Sequence, residues 1–367
     1  MRAIPDLVAL AEATERPLRR IGRVQAAAVL VVLAALLALS AAFAPAPEPE
    51  PEADTAAEQS DNSGDIALYY RIATRVAEGE GYYATATDEH RTRNYPVRPF
   101  VTIRPPTLAH LHATVGDTGL RWLGIGLLLA IVLAWERTLE PRANLAERAG
   151  ACVLLFLAGF AAFDARNLML HELLAGLLLT LSLGLYRPHR WWPSLLAAAA
   201  ALAVRELAVH FVLLWLAIAL SARRWREAAA LAALLALFAA AMVAHYLAVS
   251  AVTLSGDPES PGWSGFMGLA FALDGLVRFS ALTLLPAWLG PPLALLPLLG
   301  FAALGGRLGL FAVLWGAGLL LGVALFARED NVYWMLMVLP AWAAGLAFVP
   351  RALSDLTGAL VKPVTAS

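Results

Sequence analysis

The side chains best placed for chemistry are the ionisable ones that interrupt or end long apolar runs. Asp164 and Arg166, His171 and Glu172, Arg205 and Glu206, His210, His245, and the trio Arg328, Glu329 and Asp330 all stand at or near such ends. A charge at membrane depth costs at least about 2.5 kcal/mol on insertion scales, so groups like these face a cavity, pair with one another or serve function. Arg205 and Glu206 are the most telling pair, because both flanking runs are apolar.

A second set lies in the polar stretch between the first two apolar runs. Asp65 opens DIALYYRIATRVAEGEGYY, in which Ile66, Tyr69, Tyr70, Ala73, Val76 and Ala77 recur at helical spacing beside Arg71, Arg75 and Glu78. That pattern predicts an amphipathic helix lying on a membrane surface, with Asp65 at its N-cap. Capping alone explains an Asp at such a position, so a structural and a catalytic use are both open. Further on, YPVRPFVTIRPPTLAHLHA sets Arg98 and Arg104 among prolines at 96, 99, 105 and 106. Proline fixes the backbone and holds the neighbouring guanidinium groups in place, which suits an oxyanion, whereas solvated loop arginines are the plain alternative. His110 and His112 alternate and read as loop histidines rather than as a metal pair. No P-loop, GxGxxG, HExxH or GxSxG sequence occurs, so the soluble nucleotide, zinc-protease and hydrolase readings lack their motifs.

Positioning these residues falls to a chain made for lipid. Of 367 residues, 60% are hydrophobic and only 15% charged; soluble domains carry roughly 25% charged residues, so this is the composition of a polytopic membrane protein. With 27 basic and 28 acidic residues the net charge is -1, which gives no broad basic field for nucleic acid. Lys362 is the sole lysine, and the planar donor fork of the remaining arginines matches oxyanions. Cys152 is the one cysteine, so no internal disulfide can form.

Apolar runs of span type cover 24–43, 120–135, 149–163, 168–186, 193–204, 207–221, 228–252, 279–304, 308–327 and 332–349. Alternate connections carry Arg137, Arg142 and Arg148, then Arg187 and Arg190, then Arg223, Arg224 and Arg226, then Arg307, then Arg351 with Lys362. The positive-inside rule puts these, with Arg16, Arg19, Arg20 and Arg23, on the cytoplasmic side. The parity holds only if 193–221 is two short helices that meet at Arg205 and Glu206, which in turn requires a wet cavity on the outer side. The expected organisation is a cytoplasmic segment 1–23, a first uncleaved span 24–43, a periplasmic loop 44–118 beginning with a disordered acidic linker, a bundle 119–349 and a cytoplasmic tail 350–367.

The Asp before YYRIA, the RPP segment ahead of the second span, FDARNLMLHELLAGLLLTLSL, AVRELAVHFVLLWLAIAL and REDNVYWMLMVLPAWAAGL together resemble the GT-C-fold membrane glycosyltransferases. The resemblance is nearest to polyprenyl-phosphate-sugar-dependent mannosyl- or arabinosyltransferases. It covers most of the chain and implies an all-α polytopic fold of about ten transmembrane helices, with amphipathic helices in a long first periplasmic loop. It further implies transfer of a sugar from a polyprenyl-phosphate donor to a glycan, lipid or protein acceptor at the outer face of the inner membrane. Asp65 matches the loop acid and would be the general base; Arg104, Arg205, Arg98 and Arg328 are candidates for the donor phosphate. Glu206, Tyr69, Glu172 and His171 are candidates for acceptor contacts or for orienting the arginines. One carboxylate with direct displacement predicts inversion. No acidic DxD pair follows Asp65, which points away from a metal, and no cofactor is implied. A transporter or flippase for a lipid-linked or anionic solute, and a non-catalytic scaffold, are the alternatives.

Overall fold

The computed structural model describes residues 7–44, 64–263 and 265–361. The acidic stretch 45–63 and Lys362 lie outside them. Among the described residues the regular structure is helical apart from two isolated β-bridges. In chain order the helices are α1 (Leu7–Ala13), α2 (Arg23–Ala42), α3 (Asp65–Ala77), α4 (Tyr82–Thr92), α5 (Thr107–Leu139), α6 (Leu145–Ala158), α7 (His171–Leu185), α8 (Trp192–Val204), α9 (Val209–Ser221), α10 (Trp225–Val252), α11 (Gly268–Arg278), α12 (Gly290–Leu304), α13 (Gly306–Phe326), α14 (Leu339–Ala344) and α15 (Val349–Val361).

Among the described residues, five helical runs are long and apolar enough to cross a membrane: α2, the run ending in α5, α10, α13, and α14 through α15. Four shorter apolar helices, α7, α8, the run ending in α9, and α12, pack among them. Val31, Val32, Leu36 and Leu39 of α2 and Leu237, Val243 and Leu247 of α10 remain exposed. Apolar surface of that extent is unsuited to water, and the set of helices is compatible with a multi-pass membrane protein.

Several boundaries differ from expectation for identifiable reasons. The amphipathic α3 does not lie open on a surface: Leu68, Tyr69, Ile72, Ala73 and Val76 are buried, and α3 packs against α5. The helix α5 begins well before the expected span and breaks at Gly116, whose φ of 64° is in the left-handed region that favours glycine. Its first arm therefore belongs with the polar region, and His110 and His112 are helical rather than in a loop. The run 279–304 is not one helix, because Pro286 and Pro291 confine α12 to its second half. Ahead of it stands α11, concealed from hydropathy by the Asp274–Arg278 ion pair. Residues 350–361 are no free tail: Ala352, Leu356 and Ala359 of α15 pack with Ala26 of α2 and Leu299 and Ala303 of α12.

The basic connections gather at one end of the bundle. Glu12 of α1 binds Arg224 at 2.7 Å and Arg307 at 3.2 Å, and buried Glu227 meets the same two arginines at 3.0 and 3.4 Å. Arg142 reaches Glu15, Arg16 reaches Asp355, Arg351 reaches Glu147, and Arg187 donates to Thr138 near the end of α5. The alternation of basic connections is thus matched in space, and the N-terminal segment docks on that end.

Close helix approach depends on glycine at a few contacts. A Cβ on Gly300 of α12 would fall on the carbonyl oxygen of Gly345. Gly300→Ala is therefore expected to destabilise by about 1–3 kcal/mol, read as a lowered melting temperature in detergent, whereas Gly126→Ala, which meets open space, should not.

Candidate functional site

The helices α8 and α9 meet at a residue with extended backbone angles, Arg205 at φ -143° and ψ 117°. Its side chain turns inward and is 1% exposed. An isolated buried guanidinium would be prohibitively costly, and here two carboxylates hold it. The Arg205 Nε donates to Glu172 Oε1 at 2.6 Å, and Nη1 donates to Glu206 Oε1. Glu172 is fully buried in the first turn of α7, where the helix dipole favours an acid.

Arg104 reaches the same carboxylates from the proline-rich segment. Its Nη atoms lie 3.9 Å from Glu172 and 3.9 Å from Glu206, and its Nε donates to Tyr69 Oη at 3.1 Å. The Tyr69 ring is edge-on to His171, with centroids 4.7 Å apart. Two arginines and two glutamates so form a lattice of no net formal charge, clamped between the first loop region, α7 and the α8–α9 break.

Asp65 stands beside this lattice, one position inside the expected cap. Gly64 is the N-cap of α3, with φ 91°, and no side chain caps the helix there. The Tyr333 and Tyr95 hydroxyls stand beside the Asp65 carboxyl instead. Burial raises its pKa above the ordinary aspartate value of 3.8, and the nearby Arg104 and the Tyr333 hydrogen bond offset part of that rise.

These groups open on a cavity of about 1610 Å³. Asp65, Tyr69, Arg104, Arg205, Glu206, Tyr95 and Tyr333 line its polar end, while Leu214, Leu314, Gly318, Leu319, Gly322 and Phe326 of α9 and α13 line an apolar groove leading from it. Neither Gly318 nor Gly322, one turn apart, has an atom within reach of an added Cβ, so both border open space. Beside the groove, Trp315 Nε1 donates to His210 Nε2 at 2.8 Å while His210 Nδ1 meets the Leu207 carbonyl, a pattern that suits one neutral tautomer.

Of the residues singled out from sequence, Asp65, Tyr69, Arg104, Arg205, Glu206 and Arg328 line one cavity. Glu172 and His171 stand behind it as buried supports. Arg98 is not in the site: it donates to the Asp257 carbonyl at 3.1 Å and faces Glu259 at 3.8 Å, tying its strand of loop to residues 257–260. Arg328 donates to Ser260 Oγ at 3.2 Å and lies 5.8 Å from the Trp263 ring, and its buried Nε has no hydrogen-bond partner. Sequence reasoning missed Tyr95, Trp263 and the roles of Tyr333 and Trp334. The last two follow directly on REDNV, an aromatic pair after a charged cluster, which was the available signal.

No known protein family, curated protein or solved structure matches the chain.

Two stability outcomes follow from the site. Glu172→Ala leaves Arg205 buried with one partner fewer and should cost about 3–5 kcal/mol in thermal unfolding. For Asp65, a raised folded-state pKa means its favourable contribution is complete below the unfolded value of 3.8 and is lost as pH rises through the folded value. Asp65→Asn should therefore melt higher than the natural chain at pH 7, with the gap narrowing on acidification; a gap that widens in acid contradicts the desolvated carboxylate.

Proposed function

We propose that this chain is a membrane glycosyltransferase of the GT-C type that moves a sugar from a polyprenyl-phosphate donor to a hydroxyl of a glycan, lipid or protein acceptor. One observation carries the reading: a desolvated carboxylate and buried arginines share a single cavity with an apolar groove between α9 and α13. A ligand suited to that space has a polar, anionic head and a long hydrocarbon tail. In this reading about ten segments cross the inner membrane, the arginine-rich end is cytoplasmic, and the cavity faces the periplasm.

The chemistry assigns each side chain a task. Asp65 takes the proton from the acceptor hydroxyl as its oxygen forms a bond to the anomeric carbon. The bond from that carbon to the phosphate oxygen breaks on the opposite face, inverting the centre, and polyprenyl phosphate leaves with the bonding pair. Charge growing on that phosphate requires fixed donors in a water-poor site. Arg104, bound only loosely to its carboxylates, and Arg328, with a free Nε, have donors to give. Arg205 is committed to Glu172 and Glu206, so its part is to hold the frame and supply positive potential. Burial makes Asp65 a stronger base than a solvated aspartate, as proton abstraction requires.

The transporter alternative needs a second path to the cavity from the opposite end. There α1 and the Glu12–Arg224–Arg307–Glu227 ion pairs occupy the space, which favours the transferase.

The test is transfer of labelled sugar from a polyprenyl-phosphate donor by the purified chain in lipid nanodiscs. Asp65→Asn should lower kcat by about 10²- to 10⁴-fold with the protein still folded. Undiminished transfer by that variant removes the proposed base. Gly318→Leu and Gly322→Leu should raise KM for a long-chain donor far more than for a short-chain analogue, without lowering the melting temperature. Equal effects on both donors would exclude the groove as the tail site.

A further inference from the structure

A second cavity, of about 730 Å³, lies at the arginine-rich end, remote from Asp65. Arg16, Asn144, Glu147, Arg351 and Ser354 form its polar wall. The Arg351 side chain is only 7% exposed, and two of its nitrogens are committed: Nε donates to Glu147 at 2.8 Å, and Nη2 donates to Glu147 at 2.5 Å and to the Arg142 carbonyl at 3.0 Å. Its third nitrogen, Nη1, is buried with no hydrogen-bond partner. Arg16 commits Nε and Nη2 to Asp355, and its remaining nitrogen is outside those bonds. The one lining acid, Glu147, is neutralised by Arg351 and also accepts from the Asn144 backbone N–H at 2.9 Å. Two guanidinium groups, each held by a carboxylate and each with donors left over, make a rigid oxyanion receptor.

The opposite wall is apolar. Gly150 of α6 approaches Ala347, and Leu346 and Pro350 complete a seam between α6 and the stretch that leads from the α14–α15 connection into the first turn of α15. Farther along α6, Val153 and Leu157 are exposed. A small inorganic anion would satisfy the arginines and leave this seam unfilled.

We infer that this seam is a binding site for a phosphate-bearing lipid headgroup, with the phosphate on Arg16 and Arg351 and a hydrocarbon chain lying along α6. In the orientation adopted above, that places the phosphate at the level of the cytoplasmic leaflet's headgroups, where anionic lipid is abundant. The site is separate from the proposed donor cavity, and its occupancy would brace α6 against α15.

Native mass spectrometry of the full chain released from detergent tests the assignment, using phosphatidylglycerol, diacylglycerol of the same chains, and inorganic phosphate as probes. Phosphatidylglycerol should be retained at least about tenfold more than diacylglycerol, with a preference lost in Arg16→Gln and in Arg351→Gln. If Arg351→Gln does not fold, Arg16→Gln, at a side chain already 40% exposed, carries the test alone. Equal retention of the two lipids, or unchanged preference in Arg16→Gln, overturns the site. Displacement of phosphatidylglycerol by equimolar inorganic phosphate also overturns it, since the pocket would then read a free anion. Sugar transfer by Arg16→Gln should be unaffected when assayed alongside, which separates failure of this site from failure of the transferase reading.

Discussion

The desolvation of Arg205 governs how this fold is arranged around its cavity. A guanidinium that is 1% exposed must have its charge and its donors met by protein, and no single helix can do so. Glu206 lies next to it in sequence, but Glu172 must come from α7, and that requirement packs α7 directly against α8. Gly176 enables the other side of the same contact, since a Cβ there would strike the backbone of Leu336 and Met337. Those residues end the turn that starts at Arg328 and presents Tyr333. One buried charge thus fixes the mutual placement of α7, the α8–α9 break and the segment that binds Asp65. Arg104 then closes the lattice from the first loop region, so the loop is joined to the bundle through the same carboxylates.

Charge is divided between the two ends of the molecule in different ways. At the arginine-rich end, Glu12, Glu15, Glu147, Glu227 and Asp355 each meet an arginine at 3.4 Å or less, and the pairs join the connections to one another and, through Glu12, Glu15 and Arg16, to the N-terminal segment. Such pairs act as fasteners. At the cavity end the pairing is incomplete: Glu172 and Glu206 each keep one buried oxygen without a hydrogen bond, and Arg328 keeps Nε. Buried atoms without hydrogen-bond partners also occur at the arginine-rich end, on Arg148, Arg307 and Arg351, so what sets the cavity end apart is that Glu206 and Arg328 carry theirs on the wall of the large cavity.

Much of this was legible in the sequence, and the successes share a cause. A pair of charges inside an apolar run has few tolerable outcomes, which is why the helix break at Arg205 and Glu206 could be read directly. The periodicity of the DIALYYRIATRVA segment likewise left little choice but a helix with a buried apolar face. What periodicity could not reveal was the partner: whether lipid or α5 covers that face is a tertiary matter. The helix α11 was lost to hydropathy because Asp274 and Arg278 neutralise one another only once the helix has formed. Arg98 and Arg104 were indistinguishable by type and proline context. They diverge because Arg98 is drawn into backbone pairing with Pro258 and Ser260, contacts 160 residues away that no local pattern encodes. Tyr95 and Tyr333 were missed for the same reason, as each acquires its role only by meeting Asp65.

The arginines of the cavity can be ranked by what their donors already do. Phosphate binding in a dry site draws on N–H groups that have no better acceptor, and a carboxylate at 2.6 Å is a strong competitor. Arg205 is thus the least available donor although it is the most buried and, by sequence, the most conspicuous. Arg104 sits 3.9 Å from both glutamates, too far for strong hydrogen bonds yet close enough for their charge to hold the side chain in place. It is consequently oriented without being satisfied. The same residue lowers the cost of ionising Asp65, which burial raises. Under the proposed transfer, a single guanidinium would both support the ionised Asp65 and offer donors to the leaving phosphate, and the two demands are compatible because proton abstraction and charge growth on the phosphate would occur together.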